Sequence, residues 1–273
     1  VDLPTLPQVI TTLMTMLDAP DASVRDINSI MGKDQTLVAK MLKLVNSAFY
    51  AIPKRVTSVS QAISILGFKT VKSIVLSASI IGMFDGDDED FNYQEFWANS
   101  LGVGTISRYI ILSLSDDPLS GCGSLHPDTG FVTGLIGGIG KVVLEQYCHD
   151  DFSQIIHKAK SEKLSFSEAE KGVIDTSYTS IGYWLVKRWN LSEDVQEPIK
   201  FQDRIDEAVG DVKTMAAVLS LAKYLCRLKH YGQAGDFDDP PKPPKAAALA
   251  LALSKETLPR WTGGWRVSLR KRV

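Results

Sequence analysis

The chain has 273 residues, 44% hydrophobic and 23% charged, with a formal net charge of −2: an ordinary globular balance, long enough for one large or two smaller domains. Near-neutral charge excludes the global basic field that binding to nucleic acid or anionic membrane relies on, and no apolar run approaches the roughly 20 residues of a spanning helix. Cys122, Cys148 and Cys226 lie far apart without a C-x-x-C pair, so neither a disulfide framework nor a zinc site is implied and a reducing cytoplasm fits. The opening Val1-Asp2-Leu3-Pro4 is no signal peptide. With no initiator Met, the expectation is that an upstream segment precedes it.

From Leu3 to about Phe84 the pattern predicts consecutive short helices. Val9, Ile10, Leu13, Met14 and Leu17 form a stripe at helical spacing, stopped by Asp18-Ala19-Pro20. Ser23 caps a second helix, with Asp26 suiting its positive N-terminus. In the third, Leu37, Met41, Leu44, Val45 and Ala48 share one face while Lys40 and Lys43 lie outside it. Phe49-Tyr50-Ala51-Ile52-Pro53 ends it. Ser58 with Gln61 reads as a capping box for a fourth helix, Val59 to Leu66, which Gly67 stops. Thr70 to Gly82 repeats the apolar pattern. No stretch alternates as a strand.

The run Asp85-Gly86-Asp87-Asp88-Glu89-Asp90 fails as an EF-hand loop, since Asp90 and Phe96 stand where Gly and Glu are needed. It reads as a solvated acidic linker. Beyond it, helical patterns cover Tyr93 to Leu114, Gly130 to Cys148, Phe152 to Lys163, Ser167 to Arg188, Ser192 to Phe201 and Val212 to Leu228. Between the first two, Ser115 to Asp128 reads as a long loop. Its Cys122 and His126 have no third group to orient them as a nucleophile pair.

Gly130, Gly134 and Gly138 recur four residues apart within one of these patterns. Each helical Gly costs about 0.8–1 kcal/mol against Ala, so the series needs a reason. A P-loop is excluded because Leu135 stands where its first Gly belongs and Val142 where Ser or Thr would bind magnesium. The dinucleotide fingerprint fails at Val143. Close packing against a neighbouring helix remains. After Tyr231 the acidic, Pro-rich Gly235 to Lys245 reads as a linker. Ala246 to Leu253 is an Ala/Leu helix expected to dock on the body. Past Trp261 the chain ends in a basic tail with Arg266, Arg270, Lys271 and Arg272, read as a solvated terminus for which nucleic-acid binding is a weak option.

Three blocks then carry a specific likeness: Leu3 to Pro7, Lys33 to Tyr50 with Asn46-Ser47-Ala48-Phe49 at its end, and Val56 to Gly67. The sequence continues in kind through Phe96 to Leu101, Gly134 to Leu144, Ile181 to Trp189 and Pro198 to Phe201. From about Leu3 to Leu228 it closely resembles the HDOD (HD-related output) domain. That resemblance implies an all-α, multi-helical fold, with an N-terminal helical subdomain (3–84) packed on a body (91–230) related to HD-type metal phosphohydrolases. Residues 231–273 would then add a linker, a C-terminal helix and the tail.

HD enzymes hold divalent metal through His and Asp, and the metal activates water against a phosphoester. At the positions matching those ligands this chain has Asn99, Gly137, Gly138, Tyr178, Gln202 and Asp203. None is His, and Asp203 alone cannot hold a catalytic dication. His126, His149, His157 and His230 fall outside the matched positions. The resemblance therefore implies no cofactor and a non-catalytic bacterial signalling module, which binds an unknown signalling protein and no membrane. Relative motion of subdomain and body at an interface groove would serve that role, with Tyr50 or Trp97 as anchors, although core packing suits Trp97, Trp184 and Trp189. A second reading makes the emptied pocket a nucleotide receptor, with Lys141, Lys200 and Arg204 meeting phosphates, unless these cations simply lie exposed on helix surfaces. A residual phosphohydrolase is the third.

Overall fold

The computed structural model describes residues 4–18, 23–47, 50, 52–84 and 91–253. Among these every regular element is helical, and the single β-bridge, between Lys171 and Ile174, belongs to no strand. The all-α expectation holds. The described residues form two compact units, the first covering 6–84 and the second built mainly on 91–253.

In the first unit, α1 (Gln8–Asp18), α2 (Val24–Met31) and α3 (Gln35–Val45) bury Ile10, Leu13, Ile27, Met31, Leu37 and Met41. Ser23 and Asp34 cap α2 and α3 by accepting from the Asp26 and Leu37 amides. Lys40 and Lys43 are exposed, as the stripe predicts. Asn46 explains the most specific sequence block. Its Nδ2 donates to Val56 O (2.8 Å) and its Oδ1 accepts the Val56 amide (2.7 Å), tying the end of α3 to the chain ahead of the next helix. Ala48, Phe49 and the acidic run 85–90 lie outside the described residues, as does the basic tail.

Helix α4 (Val59–Met83) is kinked at Gly67, whose φ of 79° is non-helical, so the expected stop appears as a break within a longer element. The Ser58 hydroxyl accepts from the Gln61 amide, but the Gln61 side chain reaches back to the Thr57 amide rather than to Ser58. By length and composition α4 is long and apolar enough to cross a membrane, as a core helix also can be, contrary to the expectation that no apolar run is long enough. It is the only such helix among the described residues, and 44% of its most apolar window is buried inside the protein.

The second unit is organised on α5 (Tyr93–Leu114). Helices α6 (Pro127–Ile136) and α12 (Gly210–Leu228) pack against it around Val103, Ile110, Val218 and Leu221. The glycine series is a packing device. A Cβ on Gly134 would stand 2.7 Å from Gly104 Cα, so α5 and α6 touch backbone to backbone. The third glycine of that series is not helical. The Gly130–Cys148 pattern splits at Gly137-Gly138 into α6 and α7 (Ile139–Tyr147), and Gly138 is the cap residue before α7. His126 is also accounted for, since its Nδ1 accepts the Asp128 amide at the start of α6.

After α8 (His149–Glu162), the pattern expected as one helix from Ser167 to Arg188 is two. A short α9 (Phe166–Ala169), closed by a Ser165–Glu168 capping box, is followed by a turn and then α10 (Tyr178–Arg188), capped by Ser177. Helix α11 (Glu193–Phe201) leads to α12. The presumed linker is the larger correction. Residues 231–238 lie in the body, with the Asp236 side chain 9% exposed. A charged, Gly-rich segment folds inward here because buried cations are waiting for it. Helix α13 (Lys245–Ala250) then buries Ala247, with Leu251 just beyond it, in the core that holds α12.

Candidate functional site

The matched positions converge around the α6–α7 break. Asn99 comes from α5, Gly137 and Gly138 from the break itself, Tyr178 from the first turn of α10, and Gln202 from the residue after α11. Lys141 of α7 and Lys223 and Arg227 of α12 complete the wall of a small cavity of about 30 Å³, room for one or two waters. Asp203 and Arg204 face instead a larger outer cleft of about 480 Å³. Lys200 lines neither cavity.

Lys141 is not on the helix surface. It is 2% exposed, and its Nζ donates to Ala234 O (2.6 Å) and to Asp236 Oδ2 (2.9 Å). The ammonium also lies 4.7 Å and 4.9 Å from the ring centroids of Phe166 and Tyr178, within cation–π range. The other Asp236 oxygen accepts the Phe166 amide (3.0 Å), and Asp238 pairs with Arg227. Burial pushes the Lys141 ammonium below its usual range, and Asp236 pulls it part of the way back. Burial would raise the Asp236 carboxyl, but Lys141, Arg227 and Lys223 outweigh it and hold the group well below the carboxylate range.

A second network adjoins the first. Tyr178 Oη donates to Asp203 Oδ2 (2.8 Å), and Lys223 Nζ donates to Tyr178 Oη (2.6 Å) and Asp203 Oδ1 (2.8 Å). Burial, and then Asp203, raises the Tyr178 hydroxyl well above its ordinary value. Asp203 ends below its own range, because Lys223 and Tyr178 outweigh desolvation. Buried Glu170 accepts the Tyr178 amide (2.8 Å), and desolvation pushes its carboxyl up to about 7.

The remaining positions are filled from within. Asn99 Nδ2 donates to Tyr231 O (3.0 Å). Gln202 Nε2 donates to Gly137 O (2.8 Å) and Ile199 O (2.9 Å), and its buried Oε1 has no partner among the described residues. A Cβ on Gly137 would face that oxygen at 3.4 Å, and one on Gly138 would meet the Phe96 ring at 3.2 Å. A dication needs imidazoles or carboxylates converging on one point. Here the cavity is lined by two glycines without a donor, by the Asn99 and Gln202 amides bonded to backbone, and by one carboxylate, Asp236, already paired with buried Lys141, while the matched carboxylate Asp203 is bonded to Lys223. These residues do not fit an HD-type metal. Among the described residues no three His, Cys, Asp or Glu side chains are grouped to hold an ion.

With that geometry in place, likeness to known proteins decides the family. The HDOD domain model matches residues 3–205. The chain belongs to the HDOD family. A structure described as an HDOD domain protein with unknown function, from Geobacter sulfurreducens, superposes with a TM-score of 0.74 at 25% identity, covering 97% of this chain and 85% of that one. A "Putative phosphohydrolase" from Shewanella amazonensis SB2B gives 0.70 at 24% identity, covering 84% and 78%. A "Putative signal transduction protein" from Marinobacter aquaeolei VT8 gives 0.70 at 21%, covering 95% and 58%. An uncharacterized protein of Treponema pallidum (strain Nichols) is 24% identical over 226 residues; the match takes in 83% of this HDOD chain and 42% of that protein's length.

Lys223, Arg227 and Asp236 also line the inner cavity, and Glu170 adjoins it through the Tyr178 amide; none of the four is singled out by the sequence. The spacing of Lys223 and Arg227, one helical turn apart in an apolar pattern, was the available signal for two of them. The phosphate-contact set does not assemble. Lys200 lies over the Tyr183 and Phe201 rings, and Arg204 pairs with Glu207 at 3.1 Å. Two tryptophans match a core role, with Trp97 and Trp189 buried, but Trp184 is 52% exposed because it points off the outer face of α10.

Proposed function

We propose that this chain is a non-catalytic signalling module of the bacterial cytoplasm that acts by binding a partner protein. The observation that carries the reading is the Lys141–Asp236 pair, at 2.9 Å, beside the two glycines. A positive side chain already neutralised from within lines the same cavity as the matched positions Gly137 and Gly138, which supports a pocket without a metal. The signalling role is supported by the family and by a neighbour described as a signal transduction protein. Exposed Trp184 takes over from Trp97 as the candidate anchor, since Trp is the residue type most often found at interface hot spots. The test has two arms. Turnover of bis-(p-nitrophenyl) phosphate with manganese, iron, zinc or magnesium should not exceed the buffer rate, and metal-dependent turnover would overturn the non-catalytic reading. Crosslinking in cells should capture a protein whose yield falls about tenfold or more in Trp184→Ala; unchanged capture would remove Trp184 from the interface.

The nucleotide reading has less support, because Lys141 is committed internally and Arg204 is paired. A nucleotide at 100 times its Kd would stabilise by about 2.7 kcal/mol. A panel that leaves the melting temperature unmoved is the expected result.

A further inference from the structure

The segment 231–238 contributes to two cavities that share walls, Ala234 lining the inner one, Asp238 the outer one and Asp236 both. Tyr178, Gln202, Lys223, Arg227 and Asp236 line both the inner cavity of about 30 Å³ and the outer cleft of about 480 Å³. Asp236 is the member of that wall which the segment itself supplies. We propose that residues 231–238 are a displaceable internal plug, which opens as a unit to join the two cavities and uncover Lys141.

The manner of attachment supports opening as a unit. No regular element lies within the segment, and polar contacts at discrete points hold it. Asn99 Nδ2 binds Tyr231 O, and the Gln233 amide donates to Glu95 O (3.2 Å). Lys141 binds Ala234 O and Asp236, and the Phe237 amide donates to Leu164 O (2.9 Å). Its aromatic residues, Tyr231 and Phe237, are only half-buried, and of the two Tyr231 packs against the core that holds α12. Segments with few buried apolar contacts open at lower free energy than the helical core. Lifting this one would remove Asp236 and Asp238 from Lys141 and Arg227 together, leaving both cations facing a single enlarged cleft.

Closure depends on a glycine. Gly232 has a φ of 69°, and a Cβ there would collide with the Asn99 amide and the Glu95 carbonyl on α5. Any side chain at 232 therefore pushes the segment off the helix. Gly172 supplies the control: its φ is 80°, yet nothing lies within 4 Å of a Cβ placed on it. Gly172→Ala carries the backbone strain without the collision.

Hydrogen exchange and acetylation of lysine by acetic anhydride, both resolved by mass spectrometry, would be measured on the whole chain. In the wild type, the Gln233 and Phe237 amides should exchange ahead of those in α12. Gly232→Ala should accelerate their exchange and the acetylation of Lys141 by about tenfold or more. Exchange in α12 should not move, and Gly172→Ala should behave as wild type. Should Gly232→Ala fail to fold, Asp236→Asn is a separate route: exchange at Gln233 and Phe237 and acetylation of Lys141 should accelerate by clearly more than exchange in α12 does. If the segment and α12 exchange at one common rate in every variant, the segment opens only with global unfolding and the proposal fails. It fails equally if the segment exchanges faster in the variants while Lys141 stays protected.

Discussion

Replacing Asp236 by Asn tests the electrostatics of the pocket directly. Asn is nearly isosteric and its oxygen can still accept the Phe166 amide, which Asp236 Oδ1 now accepts at 3.0 Å. What is lost is the charge facing Lys141 at 2.9 Å, in a site where the lysine is 2% exposed. Removing one partner of a buried pair costs about 3–5 kcal/mol. The lysine can limit that loss by shedding its proton, and from a reference value near 10.4 this costs about 4.6 kcal/mol at pH 7 and about 1.9 kcal/mol at pH 9. The folded variant then binds fewer protons than the unfolded chain, so its stability rises with pH across this window. Urea denaturation at pH 7 and pH 9 should show a deficit of about 3–5 kcal/mol that shrinks by roughly half. In Lys141→Met/Asp236→Asn the losses should be clearly less than additive. A deficit below about 1 kcal/mol at both pH values, with Lys141 acetylation unchanged, would mean that the pair is solvated and the account of the pocket is wrong.

Three further outcomes follow from other parts of the second unit. Glu170, with its carboxyl pushed up to about 7 from 4.5, is protonated in the folded chain but ionised in the unfolded one between those values. Its contribution is therefore present at low pH and lost as pH rises through about 7, and Glu170→Gln should be more stable than wild type at pH 8 by about 3 kcal/mol, with no difference at pH 4.5. Glu168, held down at about 2 chiefly by its hydrogen bond from Lys242, acts the opposite way. Lys242→Met should lessen the stability lost by the wild type between pH 4.5 and pH 2, as read by thermal melts. Gly134→Val drives a side chain into Gly104 Cα, which a Cβ alone would approach to 2.7 Å, and overpacking of this kind costs about 1–3 kcal/mol or more. A melting temperature within 1 °C of wild type, against the roughly 2–4 °C expected per kcal/mol, would remove the close helix contact from the account.

Much of the helical framework is legible in local residues. Ser23, Ser58 and the Gly134 contact work through hydrogen bonds and steric exclusion confined to a few neighbours. The failures are non-local. Gly137 and Gly138 sit in an apolar run whose periodicity reads straight through them, and only the packing of α7 against α10 shows why the chain must turn. A lysine in a helix is expected to reach water. Lys141 does not, because its counter-ion arrives from a segment 95 residues later. That same segment reads as a linker by composition, since nothing in its Gly, Asp and Pro content reveals that buried cations await it. Trp184 reads as core because bulky aromatics usually are, but its helix face is decided by partners distant in sequence.

On the reading proposed above, an internal ion pair stands in place of an HD metal centre. Elemental analysis of tag-free protein, after exposure to manganese, iron, zinc and magnesium and removal of excess ion, tests it most directly. The account predicts no metal near one equivalent. One equivalent of metal, lost on Gln202→Ala or Asp203→Asn, would contradict it and return the pocket to the phosphohydrolases.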